Sequence, residues 1–513
     1  MAQNKQTTSL SLFFAAIIFI LAVITNLKYL DALPPNDDGL DNLGLANGLA
    51  HTGTMGKLHT HNGHTVLTIS DSREPFPNWL TAKWIQLIPA LHINRSLDYN
   101  ATPRQLILLK WPNLLLWAAT VAGCYWLMLA LVAPYQGPLV GSLLGLSAAV
   151  LYALCSHPVF ISTLLTEFHA AFLLVWFSWA WLQCWQKQSY SCAVIAGGLL
   201  GLLILTKAAF LYVVVGLALV TLCLQWRWKL PGRQRLQTVL LFGLALMIAF
   251  AWMWRNHHWL GAWEIAGRGP NVLLTRAYKS QMTDEEFKGA FYAYAPQSLK
   301  HTFKVLTGFR AKDREIGGRL QRFTRFFDSD VECRQRGDEA CAIGYYVQAN
   351  IRYSNIMAEY AKRYPSDARR ARVEAEKAAK QLALGMIAVN PWGHLRTTLV
   401  FAWRGAWPCN KVDGRWFSHE VKHLQPAWQE WLPFAGLCSG FALALVALFS
   451  RNMVLWMLAS TSTAVFVFYA LASHFIPRYS EMLIPIWVIC ALWSLVHILL
   501  KQRVNRHHGH AID

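Results

Sequence analysis

Charged side chains are scarce in this chain. Asp, Glu, Lys and Arg make up 15% of its 513 residues while hydrophobic residues reach 55%, a balance too apolar for an ordinary soluble protein of this length. Mean hydropathy is +0.28. Acid is the rarer sign, 28 residues against 47 Lys and Arg, so the formal net charge is +19. No nucleic-acid-binding motif accompanies that surplus, and the basic residues are spread along the chain, so nucleic acid is not an expected partner. The surplus fits a membrane protein, where Lys and Arg hold cytoplasmic helix ends and attract anionic headgroups and phosphate-bearing substrates. Internal repeats are absent, and no small-x-small cleavage site follows the apolar run 9–27, which therefore reads as a retained first helix. Cys124, Cys184, Cys192, Cys223 and Cys490 lie in apolar runs and pack as small hydrophobes, whereas Cys333, Cys341 and Cys409 lie in a polar segment where a Cys333–Cys341 disulfide would leave one thiol over.

What the chain does have is long apolar runs. They fall at 9–27, 111–132, 138–155, 168–185, 191–206, 208–225, 238–254, 432–449, 453–472 and 481–500. A spanning helix needs about 20 mostly apolar residues, so the expected fold is an all-α polytopic membrane protein with about ten transmembrane helices. With an inside N-terminus, the short cytoplasmic pieces hold Lys5, Lys187, Arg227, Lys229, Arg233, Arg235, Arg451, Lys501, Arg503 and Arg506 against the single acid Asp513. Both termini are therefore expected in the cytoplasm, and a bacterial inner membrane is the preferred location. The sequons Asn94-Arg95-Ser96 and Asn100-Ala101-Thr102 are too short a pattern to alter that preference.

Three parts follow: an N-terminal membrane module, 1–254, with a first outer loop at 31–105; an extracytoplasmic segment, 255–431, with juxtamembrane helices; and C-terminal spans with a cytoplasmic tail, 432–513. Within the second part, the run from Ser366 predicts an exposed helix. Ser366 is its N-cap candidate, Glu376 and Lys380 form an i,i+4 pair, and Ala371, Ala375, Ala378, Leu382 and Met386 give it a packing face.

Candidate chemistry gathers at the rims of the spans. Asp37 and Asp38 follow Pro34-Pro35 directly after the first span. Adjacent carboxylates there can accept a proton from an acceptor or hold a divalent cation on a phosphate; the plainer alternative is a solvated turn capping the next helix. Arg73, before the Pro-stiffened turn Glu74-Pro75-Phe76-Pro77, suits bidentate phosphate binding or interfacial anchoring. Glu167 and His169 form an ionisable pair at membrane depth, a functional candidate unless the carboxylate simply starts a helix in water. Lys207 interrupts an apolar stretch and either contacts phosphate or snorkels. Arg255 and Arg478 stand at the outer rim against the usual bias and ask for an anionic partner, with His474 in the same turn as Arg478. His51, His59, His61 and His64 cluster in the first loop, but no carboxylate stands at a ligand offset, so they read as loop histidines and no metal site is assigned.

In order along the chain, PPNDDGLDNLGLANGLAHTG, REPFPNWLTA, LLTEFHAAF, LLILTKAAFLY, the Trp252-x-x-Arg255-Asn256 ending of a span, VNPWGHL and HFIPRYSEMLIP together resemble the GT-C superfamily of membrane glycosyltransferases, which includes protein O-mannosyltransferases and lipid A aminoarabinose transferases. The resemblance spans roughly the whole chain except 271–385. It implies an inverting transfer from a polyprenyl-phosphate sugar to a lipid, glycan or protein acceptor at the outer face. A first-loop aspartate would be the general base, Asp37 first and Asp38 as the near alternative. Arg73 takes the place of the family's phosphate-binding basic residue, with Arg255 and Arg478 as further phosphate contacts. No cofactor is required, and a divalent cation is compatible. Two departures are evident: Leu40 to Leu45 lacks the family's frequent Tyr or Arg, and Arg73-Glu74-Pro75 replaces Lys-Pro-Pro. A flippase for lipid-linked sugars, or another transporter, is the alternative. It would place ionisable or Gly/Pro-broken sites near the bilayer midplane, and these spans are almost free of charge.

Overall fold

The computed structural model describes residues 2–35, 37–61, 64–91, 101–315, 317–323, 344–408 and 427–509, without the side chains of 2–9, 37, 60–61 and 499–509. All ten apolar runs lie in helices. These are α1 (Ala2–Asn26), α4 (Pro103–Cys155), α5 (Glu167–Lys187), α6 (Tyr190–Ile204), α7 (Ala209–Arg227), α8 (Gly232–Leu260), α15 (Ala427–Ser450), α16 (Met453–Ala472) and α17 (Ile484–Gly509). Between α1 and α4 come α2 (Asp37–Thr52), a hairpin of β1 (Gly56–His61) and β2 (His64–Ile69), and α3 (Pro75–Leu87). Between α8 and α15 come α9 (Gly269–Lys279), α10 (Asp284–Ala293), α11 (Lys300–Thr307), α12 (Tyr345–Arg363), α13 (Ala368–Val389) and α14 (Pro391–Gly405).

Among the described residues, seven helices are long and apolar enough to cross a membrane, so the chain is an integral membrane protein. One of the seven, the 53-residue α4, carries two of the apolar runs. Gly137 breaks it at φ 82°, between Pro134 and Pro138, where the backbone leaves the helical region. Its halves pack face to face: a Cβ on Gly145 would press on the Tyr125 carbonyl, so only a glycine lets the backbones come so near. The run 191–206 gives a shorter element than expected. With 15 residues, α6 is about 22 Å long, below the roughly 30 Å of a hydrocarbon core.

The main core joins the spans through Trp117, Tyr125, Tyr152, Phe168, Trp181, Phe210 and Trp487, all essentially buried. Close helix approach recurs at Gly436, where a Cβ would overlap the Trp487 carbonyl of the last span. Gly436→Ala is expected to lower stability by about 1–3 kcal/mol, because backbone rather than a movable side chain must give way; thermal unfolding in detergent measures it.

The two polar segments meet at one end of the bundle. Leu43 and Ala46 of α2 and Ile85 of α3 form a small apolar core with Leu109 of α4 and Leu164. In the other segment α9, α12 and α13 pack through Leu274, Ala277, Ala349 and Ala383, and α13 adds Ala375 and Ala379 against Ile356. The helix expected from Ser366 is α13, with Ala371, Ala375, Ala379 and Ala383 on its buried face. Two details differ. Asp367 rather than Ser366 caps it, accepting from Arg370 N at 2.9 Å, because the shorter register places the carboxylate at the first turn. Glu376 pairs with Arg372 at 2.8 Å, one turn back, rather than with Lys380. Finally, α14 turns Val400 and Phe401 inward and leaves Trp392, Leu395 and Leu399 exposed.

Candidate functional site

Pro34 and Pro35 cannot continue a helix backwards, so the chain turns and α2 begins at Asp37. Carboxylates are favoured in a first helical turn by the backbone amides there. Asp38 and Asp41, three residues apart, lie on one face of α2. The Asp37 side chain lies outside the described residues.

Cations from three distant parts of the chain converge on that face. Arg73 Nη2 lies 2.5 Å from Asp38 Oδ1, and its Nε lies 2.6 Å from Asp41 Oδ2. Arg268, in the turn after α8, spans the same two acids at 3.3 and 3.1 Å. Arg478 Nη2 meets Asp38 Oδ2 at 2.6 Å, and its Nε lies 3.8 Å from Glu167 Oε1. Lys57 of β1 pairs with Asp41. Glu167, the first residue of α5 and 1% exposed, receives Lys207 Nζ at 3.2 Å. The Tyr479 ring lies beneath both Lys207, at 5.5 Å, and Arg478, at 5.7 Å.

Among these ion-paired groups five cations, Lys57, Arg73, Lys207, Arg268 and Arg478, face three carboxylates, Asp38, Asp41 and Glu167. Among the described side chains of this group, positive charge exceeds negative by two. Most of it is shielded, but the Arg268 side chain is 48% exposed and marks the open side. Burial alone would raise the Asp38 carboxyl, yet the Arg478 and Arg73 guanidiniums outweigh it and hold the group far below the usual carboxylate range. Asp41 is likewise held low by Lys57 and Arg73 against its burial. Both are ionised at any physiological pH, and both are weak bases.

Of the residues singled out in the sequence, Asp38, Arg73, Glu167, Lys207 and Arg478 are brought together. Lys207 does not snorkel: it is buried and pairs with Glu167, since an acid within reach outcompetes a route to water. Glu167 is not a water-facing helix start for the same reason. His474 adjoins the group through its ring, 6.4 Å from Tyr479 and 6.2 Å from Tyr346. Arg255 goes elsewhere. Its guanidinium donates to Asn256 Oδ1 at 2.8 Å and to Met55 O at 3.3 Å, and stacks on Trp252 at 4.8 Å, apart from the Asp38 group. His59 sits in β1 and His64 opens β2, and among the described residues no group of three His, Cys, Asp or Glu is set to hold a metal. Cys333, Cys341, Cys409 and both sequon asparagines lie outside the described residues.

Asp41, Lys57 and Arg268 are the members that sequence reasoning missed. Arg268 breaks the positive-inside bias as Arg478 does, and that was its available signal. Two more buried pairs brace the same end: Lys110 of α4 with Asp31, and His157 Nδ1 with Glu481 Oε2 at 2.7 Å.

No protein-family model matches this chain, and no curated protein matches its sequence. Among solved structures it is similar to the archaeal oligosaccharyltransferase AglB from Archaeoglobus fulgidus in complex with an inhibitory peptide and a dolichol-phosphate, with 12% identity over 97% of this chain and 52% of that one and a TM-score of 0.47. To the apo form from the same organism it is 12% identical over 98% and 52%, with a TM-score of 0.49. To ArnT from Cupriavidus metallidurans bound to undecaprenyl phosphate it is 14% identical over 93% and 77%, with a TM-score of 0.31. The chain spans about half the length of the archaeal chains.

Proposed function

We propose that this protein is a glycosyltransferase that moves a sugar from a polyprenyl-phosphate carrier to a lipid, glycan or protein acceptor at the outer face of the membrane. The observation that carries the reading is the cation surplus around Asp38, with one guanidinium open to solvent, at the end of the bundle where both polar segments meet. A phosphodiester donor carries one negative charge and its leaving phosphate gains a second as the glycosidic bond breaks. Fixed cations therefore bind the transition state more strongly than the ground state.

In the proposed reaction the bond from the anomeric carbon to the phosphate oxygen breaks and its electron pair leaves with the carrier. The acceptor heteroatom attacks from the opposite side, which inverts the centre, and its proton passes to Asp37. Asp38 is a poor choice of base, because its guanidinium partners stabilise the charge that a base must give up; its part is to order Arg73, Arg268 and Arg478. Lys207 and Glu167 hold Arg478 and Tyr479 in place from behind.

Reconstitution in vesicles tests this directly. Given a polyprenyl-phosphate sugar, the protein is expected to release free polyprenyl phosphate only when acceptor is present. Transbilayer movement of the intact glycolipid without cleavage would instead identify a flippase and overturn the proposal.

A further inference from the structure

Two of the arginines facing Asp38 sit on loops, and both loops are tied to one guanidinium outside the ion cluster. Arg372, on α13, lies 2.5 Å from Asp71 Oδ1, 2.8 Å from Glu376 Oε1 and 3.4 Å from Glu264 Oε1. Asp71 stands two residues before Arg73, and its carbonyl accepts from Gly267 N at 2.9 Å, one residue before Arg268. A Cβ at Gly267 would overlap the Arg372 guanidinium, so the turn carrying Arg268 rests directly on it. The first loop, the 261–268 turn and α13 thus meet at one side chain, and Asp71 is only 1% exposed there.

Three carboxylates surround that guanidinium. Arg255 of α8 acts on Asp71 from farther off, Tyr353 of α12 and Tyr212 of α7 face the same group, and Tyr353 is pushed up to about 12 by its burial. Glu264 and Glu376 both face the Arg372 guanidinium, so each carboxyl acts on the other. Burial first, then the neighbouring Glu376 and Asp71, push Glu264 up to about 8. It therefore holds its proton at neutral pH and loses it as pH rises through that value. Deprotonation sets three negative charges against Arg372.

We propose that Arg372, with Asp71, Glu264 and Glu376, forms a strut that positions Arg73 and Arg268 for phosphate, and that full ionisation of its glutamates loosens it. This rests on the phosphate-binding reading above. The residues of the strut are positioning residues: they act on the carrier only through the two arginines they hold.

Binding of undecaprenyl phosphate to the full chain in detergent, followed from pH 6.5 to 9.5, tests the strut. Wild-type affinity is expected to fall roughly tenfold as pH rises through about 8, within the usual range for linked sites. Glu264→Gln keeps a donor toward Glu376 without a titratable proton, so its affinity is expected to stay flat across that interval. Arg372→Lys keeps the charge but loses the fork, and is expected to bind roughly tenfold more weakly at pH 7. A Glu264→Gln profile that superimposes on wild type, or an Arg372→Lys protein that binds as wild type does, overturns the strut. If Arg372→Lys does not fold, the Glu264→Gln profile alone decides. Arg73→Ala separates the two claims: unchanged binding in that variant removes the phosphate site itself, whereas weakened binding there beside normal binding in Arg372→Lys removes only the strut.

Discussion

Asp37→Asn is expected to slow sugar transfer on the order of 1,000-fold while leaving carrier affinity within about twofold, the signature of a lost proton acceptor rather than a lost contact. The amide keeps the size of the side chain and can still hydrogen-bond, but it cannot take the acceptor's proton. Asp38→Asn is the informative companion. It removes the charge that gathers three guanidiniums, so it should weaken carrier binding and alter KM before it alters the chemical step. Steady-state kinetics on both variants, with carrier binding measured separately, tells the roles apart. Full activity in Asp37→Asn would remove the proposed base, and a purely kcat-type loss in Asp38→Asn would exchange the two assignments.

The second large effect is expected from Arg73→Ala. Arg73 bridges two acids whose side chains are only 16% and 11% exposed; without it Asp38 keeps Arg268 and Arg478, and Asp41 keeps Lys57 and Arg268. Leaving a buried charge with no partner costs about 3–5 kcal/mol; with the remaining cations still paired, the loss here is expected to be smaller but measurable. A fall in unfolding temperature should therefore accompany the loss of undecaprenyl phosphate binding. Burial raises no barrier to the pairing here: the coulombic pull of Asp38 and its hydrogen bond hold Arg73 charged against the desolvation that opposes it. Arg73→Lys should recover part of the stability, since charge remains, but less of the binding, since a single ammonium cannot reach both Asp38 and Asp41. Equal stability in wild type and Arg73→Ala would show that the cluster is solvated and its ion pairs weak.

How far this was readable from residues alone follows from what each residue had to satisfy. Apolar runs have one solution in lipid, a helix, so the helices themselves were legible; that α5 and the short α6 fall outside the seven able to cross, and that α4 carries two runs, needed the fold. Arg73, Arg478 and Glu167 were legible because charge at a membrane rim demands a partner; which partner was not, since Asp38 and Arg478 come from opposite ends of the chain. Arg268 obeys the same rule, but its Gly267 and Gly269 neighbours read as an ordinary turn. The hairpin is a different case. The Gly- and Thr-rich stretch that forms β1 and β2 reads as a loop carrying a histidine cluster, because its alternation is short and its side chains are small and polar. Nothing local marks Asp71, Glu264, Arg372 and Glu376 as one group, because they lie on three elements that only tertiary packing brings together.

Asp38 and Arg478 stand 440 residues apart, which has a consequence for biosynthesis. The acid leaves the ribosome early, and its last arginine arrives only as the final hairpin of spans is threaded into the bilayer. Until then Asp38 has only Arg73 and Arg268 to pair with. Completion of the ion cluster is thus one of the closing events of assembly, since Arg478 precedes only the last span.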